Sequence, residues 1–233
     1  MECALLSITE VSGHTFISNF LRNNPTVVDL GSNQGDFARV LLCEYGATVF
    51  AAEASLDLYS GLASRQLPKY CVLHAALTGH NGTTQLNLHN DRDASITGSP
   101  GSDGTTISVP AITLLTFLDT MRLTTVDLMK VDIEGAELPM FRAAPDEALL
   151  RSRQISVEFH EFLYPDMHVE IELTKQRLQR LGFVAVDFSR VYGDVLFLNP
   201  SLNLSRWSQA CLIAKRWIRG ARRITTRALG TPR

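Results

Sequence analysis

Residues 26–37 read Thr26-Val27-Val28-Asp29-Leu30-Gly31-Ser32-Asn33-Gln34-Gly35-Asp36-Phe37, and no other stretch constrains the fold as strongly. The β-branched run Thr26 to Leu30 reads as a short strand, and Gln34 to Glu44 carries Phe37, Val40 and Leu41 at helical spacing. Between them Gly31 and Gly35, lacking a Cβ, let the backbone turn sharply and approach a ligand closely. The helix that follows presents unpaired N–H groups, which attract a carboxylate or phosphate. Strand, glycine turn and helix in that order predict an α/β fold with a crevice for a small anionic group. A dinucleotide fingerprint needs G-x-G-x-x-G, and Asn33 breaks it.

The rest of the chain continues the alternation. Ala47 to Ala52 and Tyr70 to Leu77 read as strands around a helical stretch at Leu56 to Gln66. Ile112 to Arg122 reads as helix, Val126 to Ile133 as strand, Glu134 to Ala143 as helix, Gln154 to Phe159 as strand, and Val169 to Leu181 as an amphipathic helix stopped by Gly182. Phe183 to Phe188 and Asp194 to Leu198, joined by a Gly-containing turn, read as a hairpin. This pattern predicts a mostly parallel sheet covered on both faces, with one antiparallel strand from the hairpin. Residues 1–24 mix apolar and polar side chains up to the turn signal Asn23-Asn24-Pro25, which predicts a flank of one or two short helices. Thr78 to Pro110, rich in Gly, Asn, Thr, Ser and Asp, predicts a hairpin-like insertion with a mobile loop carrying Asp91, Arg92 and Asp93. The expected units are a helical flank over 1–24, a body over 25–199 and a tail over 200–233.

An apolar share of 45% with 20% charged residues is that of a chain able to bury a core, which excludes a disordered polymer. Cys3, Cys43, Cys71 and Cys211 form no CxxC pair and have no paired histidines nearby, so they read as reduced packing residues rather than a zinc site. No signal-peptide pattern is present, nor any run of the roughly 18 apolar residues that spans a bilayer, so the expected location is the cytoplasm. Charge is unevenly spread. Eight of the 22 basic residues and none of the 24 acidic ones fall in 201–233, leaving residues 1–200 with 14 against 24, a net of −10. In the tail Trp207, Cys211, Ala214, Trp217 and Ala221 recur at helical spacing among Lys215, Arg216, Arg219, Arg222 and Arg223. Such a helix can lie on an anionic membrane, attract nucleic acid or dock on an acidic neighbour. The expectation is a membrane-surface or protein contact through the tail, hence a position peripheral to a membrane, with no nucleic-acid partner.

A second cluster of ionisable residues occupies Val126-Asp127-Leu128-Met129-Lys130-Val131-Asp132-Ile133-Glu134-Gly135-Ala136-Glu137. It sits at a strand's carboxyl end, where open α/β sheets bind ligands, and alternation points Lys130 and Asp132 to one face. Together with the glycine turn, the run Lys130 to Glu137 resembles the FkbM-type family of S-adenosylmethionine-dependent O-methyltransferases, a likeness spanning roughly residues 25–199. The spacing of Asp29, Gly31 and Gly35 is similar to the first motif of class I methyltransferases. Glu53, the Ala75-Ala76-Leu77 strand end, Ser95 and Val157-Glu158-Phe159-His160 belong to the same likeness.

The resemblance implies a Rossmann-like class I methyltransferase fold, with a mostly parallel seven-stranded sheet and a C-terminal antiparallel hairpin. It implies S-adenosylmethionine as cofactor, held by Asp29, Gly31, Ser32, Asn33, Gly35, Phe37, Glu53, Ala54, Ala75, Ala76 and Asp132. Glu53 takes the ribose hydroxyls, as an acidic residue about 20 positions beyond the glycine turn can. The implied reaction is methyl transfer to a hydroxyl of a sugar, glycan or small-molecule acceptor, contacted by Ser95, Lys130 and Glu158. Because the sulfonium is already a good leaving group, the protein's task is to align the acceptor oxygen and manage its proton. Candidate bases are Asp132, His160 and Glu134; His160 has the best-placed intrinsic pKa, and Glu158 can share its side of the strand. A divalent cation on Asp132, Glu158 and His160 is conceivable from ligand type, but no compact ligand motif is present and the expectation is no metal. The alternatives are a non-catalytic methyltransferase-like binding module and a nucleotide-dependent oxidoreductase. Gly31→Ala with Glu53→Ala is expected to abolish cofactor binding without unfolding the sheet.

Overall fold

The protein is described from a computed structural model that covers residues 6–88, 94–95, 106–160, 167–189, 193–212 and 214. It opens with a hairpin. Ser12 and Gly13, at φ of 49° and 84°, connect β1 (Ile8–Val11) to β2 (His14–Ile17), with Val11 opposite His14. Two successive positive-φ residues give the turn whose twist suits antiparallel strands. The flank expected to be helical is therefore a β-hairpin, followed by a 3-10 turn at Ser18–Phe20. The Ser-Gly pair was its signal in the sequence.

All four β2 residues are buried, and side chains rather than a neighbouring strand satisfy part of their backbone. Ile17 N–H donates to Gln154 Oε1 at 2.8 Å, and Gln154 Nε2 donates to the Ile17 carbonyl at 3.1 Å. Asp194 accepts from the Thr15 amide at 3.0 Å and from its hydroxyl at 2.6 Å. A buried strand edge without such partners would lose about 1–3 kcal/mol per group.

The chain then runs β3 (Thr26–Leu30), α1 (Asp36–Tyr45), β4 (Thr48–Glu53), α2 (Leu56–Ser64), β5 (Tyr70–His74), β6 (Ala76–Leu77), β7 (Gly82–Leu88), β8 (Ala94–Ser95) and β9 (Thr106–Ile112). It continues α3 (Leu114–Thr120), β10 (Leu128–Val131), α4 (Glu137–Ala143), α5 (Asp146–Leu150), β11 (Gln154–Val157), α6 (Met167–Arg180), β12 (Val184–Asp187) and β13 (Val195–Leu198). Seven strands form the central sheet in the order β12-β13-β11-β10-β3-β4-β5, and β13 alone runs antiparallel to its neighbours. From β3 the chain proceeds outward to β4 and β5, then returns to lay β10 and β11 on the other side. That reversal leaves a crevice at the carboxyl ends of β3 and β10, the usual ligand position in such sheets.

Alternation divides β3 between two cores. Val28 and Leu30 join the larger cluster with Phe117, Met140 and Phe141, while Val27 packs with Phe16, Phe37 and Leu41 on the opposite face. Asp29 breaks the pattern as a fully buried carboxylate among apolar neighbours.

The expected third strand splits in two. The Ala75 amide still donates to the Glu53 carbonyl at 3.1 Å, but there β4 ends, and Ala76-Leu77 leave to pair with β9. The insertion is therefore a second sheet of order β6-β9-β7-β8, in which β7 and β9 are antiparallel from Gly82–Ala111 to Asn87–Thr106. Asp91, Arg92 and Asp93 lie outside the described residues. Ile112 belongs to β9, and α3 starts only after Thr113, whose hydroxyl accepts from the Thr116 amide at 3.3 Å. Helix α4 likewise starts at Glu137 rather than Glu134, and α5 is an addition to the expected elements.

At the far edge Leu6, Ile17, Val186, Leu196, Leu198 and Leu212 form one apolar cluster, which brings Leu6 beside Leu212. Cys211 in this region is disulfide-bonded, whereas Cys43 and Cys71 are free and exposed. The expectation of four reduced thiols fails at Cys211, because spacing along the chain does not reveal which cysteines meet in space. No described helix is long and apolar enough to cross a membrane. The basic residues 215–233 lie outside the described residues.

Candidate active site

At the end of β3 the backbone folds back on its neighbours. The Gly31 and Ser32 amides both donate to the Ala52 carbonyl at 3.0 and 3.2 Å, and the Gly35 amide donates to the Ser32 carbonyl at 2.8 Å. Gly31 sits at φ of 77° against β10, where a Cβ would lie 1.7 Å from the Asp132 carbonyl oxygen. Glu53, at the tip of β4, is 7% exposed. Its Oε2 accepts from the Asn33 amide at 2.7 Å and its Oε1 from the Ser55 amide at 2.8 Å. One N–H on each oxygen leaves a second lone pair on each, enough for two ligand hydroxyls. Burial raises the pKa of this carboxyl, against the two amide hydrogen bonds.

Lys130 is 4% exposed and ties the turn to β10. Its Nζ donates to the Gly31 carbonyl at 2.6 Å and stands 3.2 Å from Asp29 Oδ1 and 3.3 Å from Asp132 Oδ2. Burial acts to lower its pKa, but Asp29 and Asp132 outweigh that and raise it. The ammonium expected to touch substrate is instead engaged by the Gly31 carbonyl, Asp29 and Asp132. Asp29 is shielded further by Ser32, whose hydroxyl donates to Asp29 Oδ2 at 2.8 Å and lies 3.1 Å from the Tyr70 hydroxyl. Burial pushes Tyr70 up to about 12.

Residues 132–136 make a turn with Glu134 at φ of 50° and Gly135 at 94°. Glu137, fully buried, closes it: Oε1 accepts from the Ile133 and Gly135 amides at 3.1 and 3.3 Å and pairs with His160 Nδ1 at 2.9 Å. His160 Nε2 lies 3.2 Å from Glu134 Oε2 and 3.7 Å from Asp132 Oδ1. Burial alone would lower the His160 pKa, but Glu137, Glu134 and Asp132 overturn it and push it up to about 9. That shift favours the protonated ring near neutrality and so counts against the general-base role expected from its intrinsic pKa. The protonated ring is a cation that fixes three carboxylates. Because its folded pKa exceeds the ordinary value of about 6.5, its contribution to stability is complete below that value and lost as pH rises through about 9. A proton NMR titration of the ligand-free chain should place the His160 ring midpoint near 9; a midpoint below 7 removes the carboxylate clamp.

Sequence reasoning missed His14. The N-terminal hairpin carries this fully buried side chain beneath the site, with Nε2 3.5 Å from Asp132 Oδ2 and Nδ1 3.4 Å from the Ser156 hydroxyl. Asp132 is thus surrounded by positive or potentially positive groups. Burial would raise its pKa, yet His14, Lys130 and His160 hold it well below the usual carboxylate range. Half-buried Glu158 differs: burial first, and the Asp132 charge second, raise its pKa.

These elements border an open cleft. Of the residues expected to hold cofactor, Gly31, Asn33, Glu53, Ala54, Ala75, Ala76 and Asp132 line it, and so does Glu134. Asp29, Ser32 and Gly35 shape it from behind. Phe37 faces the core, its ring 5.9 Å from that of His14 and 6.0 Å from Lys130 Nζ. Ala52, Leu58, Leu77, Leu86 and Ile133 add apolar wall that went unread; alternation in β7 was the available signal for Leu86. The backbone of Ser95 pairs opposite Asn87.

The family model for the methyltransferase FkbM domain matches residues 29–185. The chain belongs to this family. It is an S-adenosylmethionine-dependent methyltransferase with the Rossmann-like class I fold. Solved structures similar to this FkbM chain include a TehB-like SAM-dependent methyltransferase from Corynebacterium glutamicum, 13% identical over 78% of this chain and 84% of that one, with a TM-score of 0.40. Another is a methyltransferase from Pyrococcus furiosus, 13% identical over 78% of each chain, with a TM-score of 0.38. A third is TrmK of M. capricolum in complex with S-adenosylhomocysteine, 8% identical over 78% of this chain and 65% of that one, with a TM-score of 0.41. No curated protein matches the chain.

Proposed function

We propose that the enzyme transfers a methyl group from S-adenosylmethionine to a hydroxyl of a sugar, glycan or small-molecule acceptor. The observation that carries this reading is the ionised Asp132 beside Glu134 in the cleft wall, with Glu158 close by. Carboxylates at the reacting end suit a neutral hydroxyl, which donates a hydrogen bond to them, and repel a phosphate-bearing acceptor. The net of −10 over residues 1–200 acts in the same direction.

The cleft fits the cofactor on two counts. Glu53 keeps lone pairs for the ribose hydroxyls, and Ala54, Leu58, Ala75, Ala76, Leu77 and Leu86 offer an apolar slot for a flat base. Bound there, S-adenosylmethionine supplies a methyl group on a sulfonium leaving group. Gly31 and Asn33 shape the turn that borders its amino-acid end. Asp132, kept ionised by its cationic neighbours, accepts the hydrogen bond of the incoming hydroxyl and orients it. The His160 cation holds Glu134 and Asp132 in place, so little reorganisation is left for the reaction itself.

Two measurements test this. Glu53→Ala should weaken S-adenosylhomocysteine binding by roughly 100-fold in calorimetry, since hydrogen bonds to a charged group contribute about 1.5–3 kcal/mol each. A change below threefold removes Glu53 from the cofactor site. For the acceptor, transfer of labelled methyl to a panel of hydroxyl compounds, amines and RNA should give product with the hydroxyl compounds alone. Methylated RNA or amine as the sole product overturns the reading.

A further inference from the structure

His14 Nε2, a carboxylate oxygen of Asp132 and one of Glu158 all lie within 4.8 Å of one another. The His14 side chain is fully buried, and its Nε2 makes no hydrogen bond although it points at Asp132 Oδ2 from 3.5 Å. When Nδ1 donates to the Ser156 hydroxyl, 3.4 Å away, Nε2 presents a lone pair to two carboxylates. In that tautomer a cation between the three atoms satisfies all of them, whereas the other tautomer only brings an Nε2–H to 3.5 Å from Asp132 Oδ2. A metal-bound histidine is normally fixed in this way, through a hydrogen bond from its other nitrogen.

A second triad, Asp132, Glu134 and His160, is equally compact. It is the weaker candidate, because His160 Nε2 already pairs with Glu134 Oε2 at 3.2 Å, whereas His14 Nε2 makes no hydrogen bond. The imidazole facing both Asp132 and Glu158 with an unused nitrogen is that of His14, contributed by a hairpin outside the family match at 29–185. Lys130 does not forbid a cation there, since Asp29 at 3.2 Å balances it. Around the cleft Asp29, Glu53, Asp132, Glu134, Glu137 and Glu158 still outnumber Lys130 and His160.

We propose that His14, Asp132 and Glu158 bind a divalent transition-metal cation beside the methyl-accepting position. One imidazole nitrogen with two carboxylate oxygens suits Mn²⁺, Fe²⁺, Co²⁺ or Zn²⁺ better than Ca²⁺, which takes oxygen ligands throughout. Its open coordination positions would take the acceptor's hydroxyl oxygen and make that proton easier to lose. This role rests on the hydroxyl reading above; the binding does not.

The test uses the full chain, stripped with EDTA and titrated with Mn²⁺, following bound ion by electron paramagnetic resonance and, in parallel, S-adenosylhomocysteine binding by calorimetry. One Mn²⁺ per chain is expected, with His14→Gln and Glu158→Gln each weakening it at least about 10-fold, the low end of what losing even a supporting group costs a metal site. Cofactor binding should stay within threefold in both variants, which shows that they fold. Absence of Mn²⁺ binding by the native chain, tested also with Zn²⁺, overturns the proposal, as does Mn²⁺ binding that His14→Gln leaves unchanged. Intact metal binding without methyl transfer to any hydroxyl compound overturns the hydroxyl reading instead.

Discussion

Gly31→Ala should lower stability by about 4 kcal/mol and the midpoint of thermal unfolding by roughly 10 °C, combining a positive-φ cost with overpacking. The added Cβ would lie 1.7 Å from the Asp132 carbonyl oxygen, a backbone atom of the adjoining chain segment. Relief requires β3 and β10 to separate at the centre of the sheet. Gly35→Ala is the milder control, because its obstacle is Leu62 Cδ2 at 2.7 Å, the end of a flexible side chain. Circular dichroism melts of the two variants should therefore rank Gly31→Ala well below Gly35→Ala; equal midpoints contradict the packing described. The sequence-based expectation that Gly31→Ala with Glu53→Ala leaves the sheet folded is corrected on the same ground. Glu53→Ala alone is the cleaner probe of cofactor binding.

Lys130→Met should cost about 3–5 kcal/mol, the usual consequence of removing one partner from a buried ion pair. Asp29 is fully buried, and its Oδ1 has no hydrogen bond beyond the ion pair with Lys130 at 3.2 Å. Without the ammonium, Asp29 and Asp132 face each other's charge, and the Gly31 carbonyl loses its donor at 2.6 Å. Adding Asp29→Asn to Lys130→Met should recover stability, because it removes the stranded charge. Urea titrations of the single and double variants measure this, and a single variant within 1 kcal/mol of the native chain refutes the ion-pair account.

The glycine turn, Glu53 and the Lys130 to Glu137 run were legible because each lies within one continuous stretch with a definite spacing. Strand ends and the glycine turn position them locally, and the sheet brings them together as alternation predicts. What was illegible depended on distant contacts. His14 enters the site because Gln154 and Asp194 side chains hold its strand in place, and nothing within residues 8–17 encodes those partners. The protonation of His160 was misread for the same reason. An isolated histidine titrates as a base near neutrality, whereas Asp132 and Glu134 from the turn after β10 and Glu137 at the start of α4 favour its protonated form. Lys130 looked ligand-facing because alternation gives its side of the sheet but not what already occupies that side. The N-terminal hairpin shows a plainer limit, since scattered apolar residues suit helix and strand alike and only Ser12-Gly13 separated them.

The docking of β2 sets an order on biosynthesis. Thr15 is held by Asp194, 179 positions further along, and Ile17 by Gln154, 137 positions further along. Contacts so remote in sequence form late. As the ribosome releases the chain, this hairpin must wait, undocked, until Asp194 has emerged. His14 therefore reaches Asp132 only once residues 154 and 194 are in place.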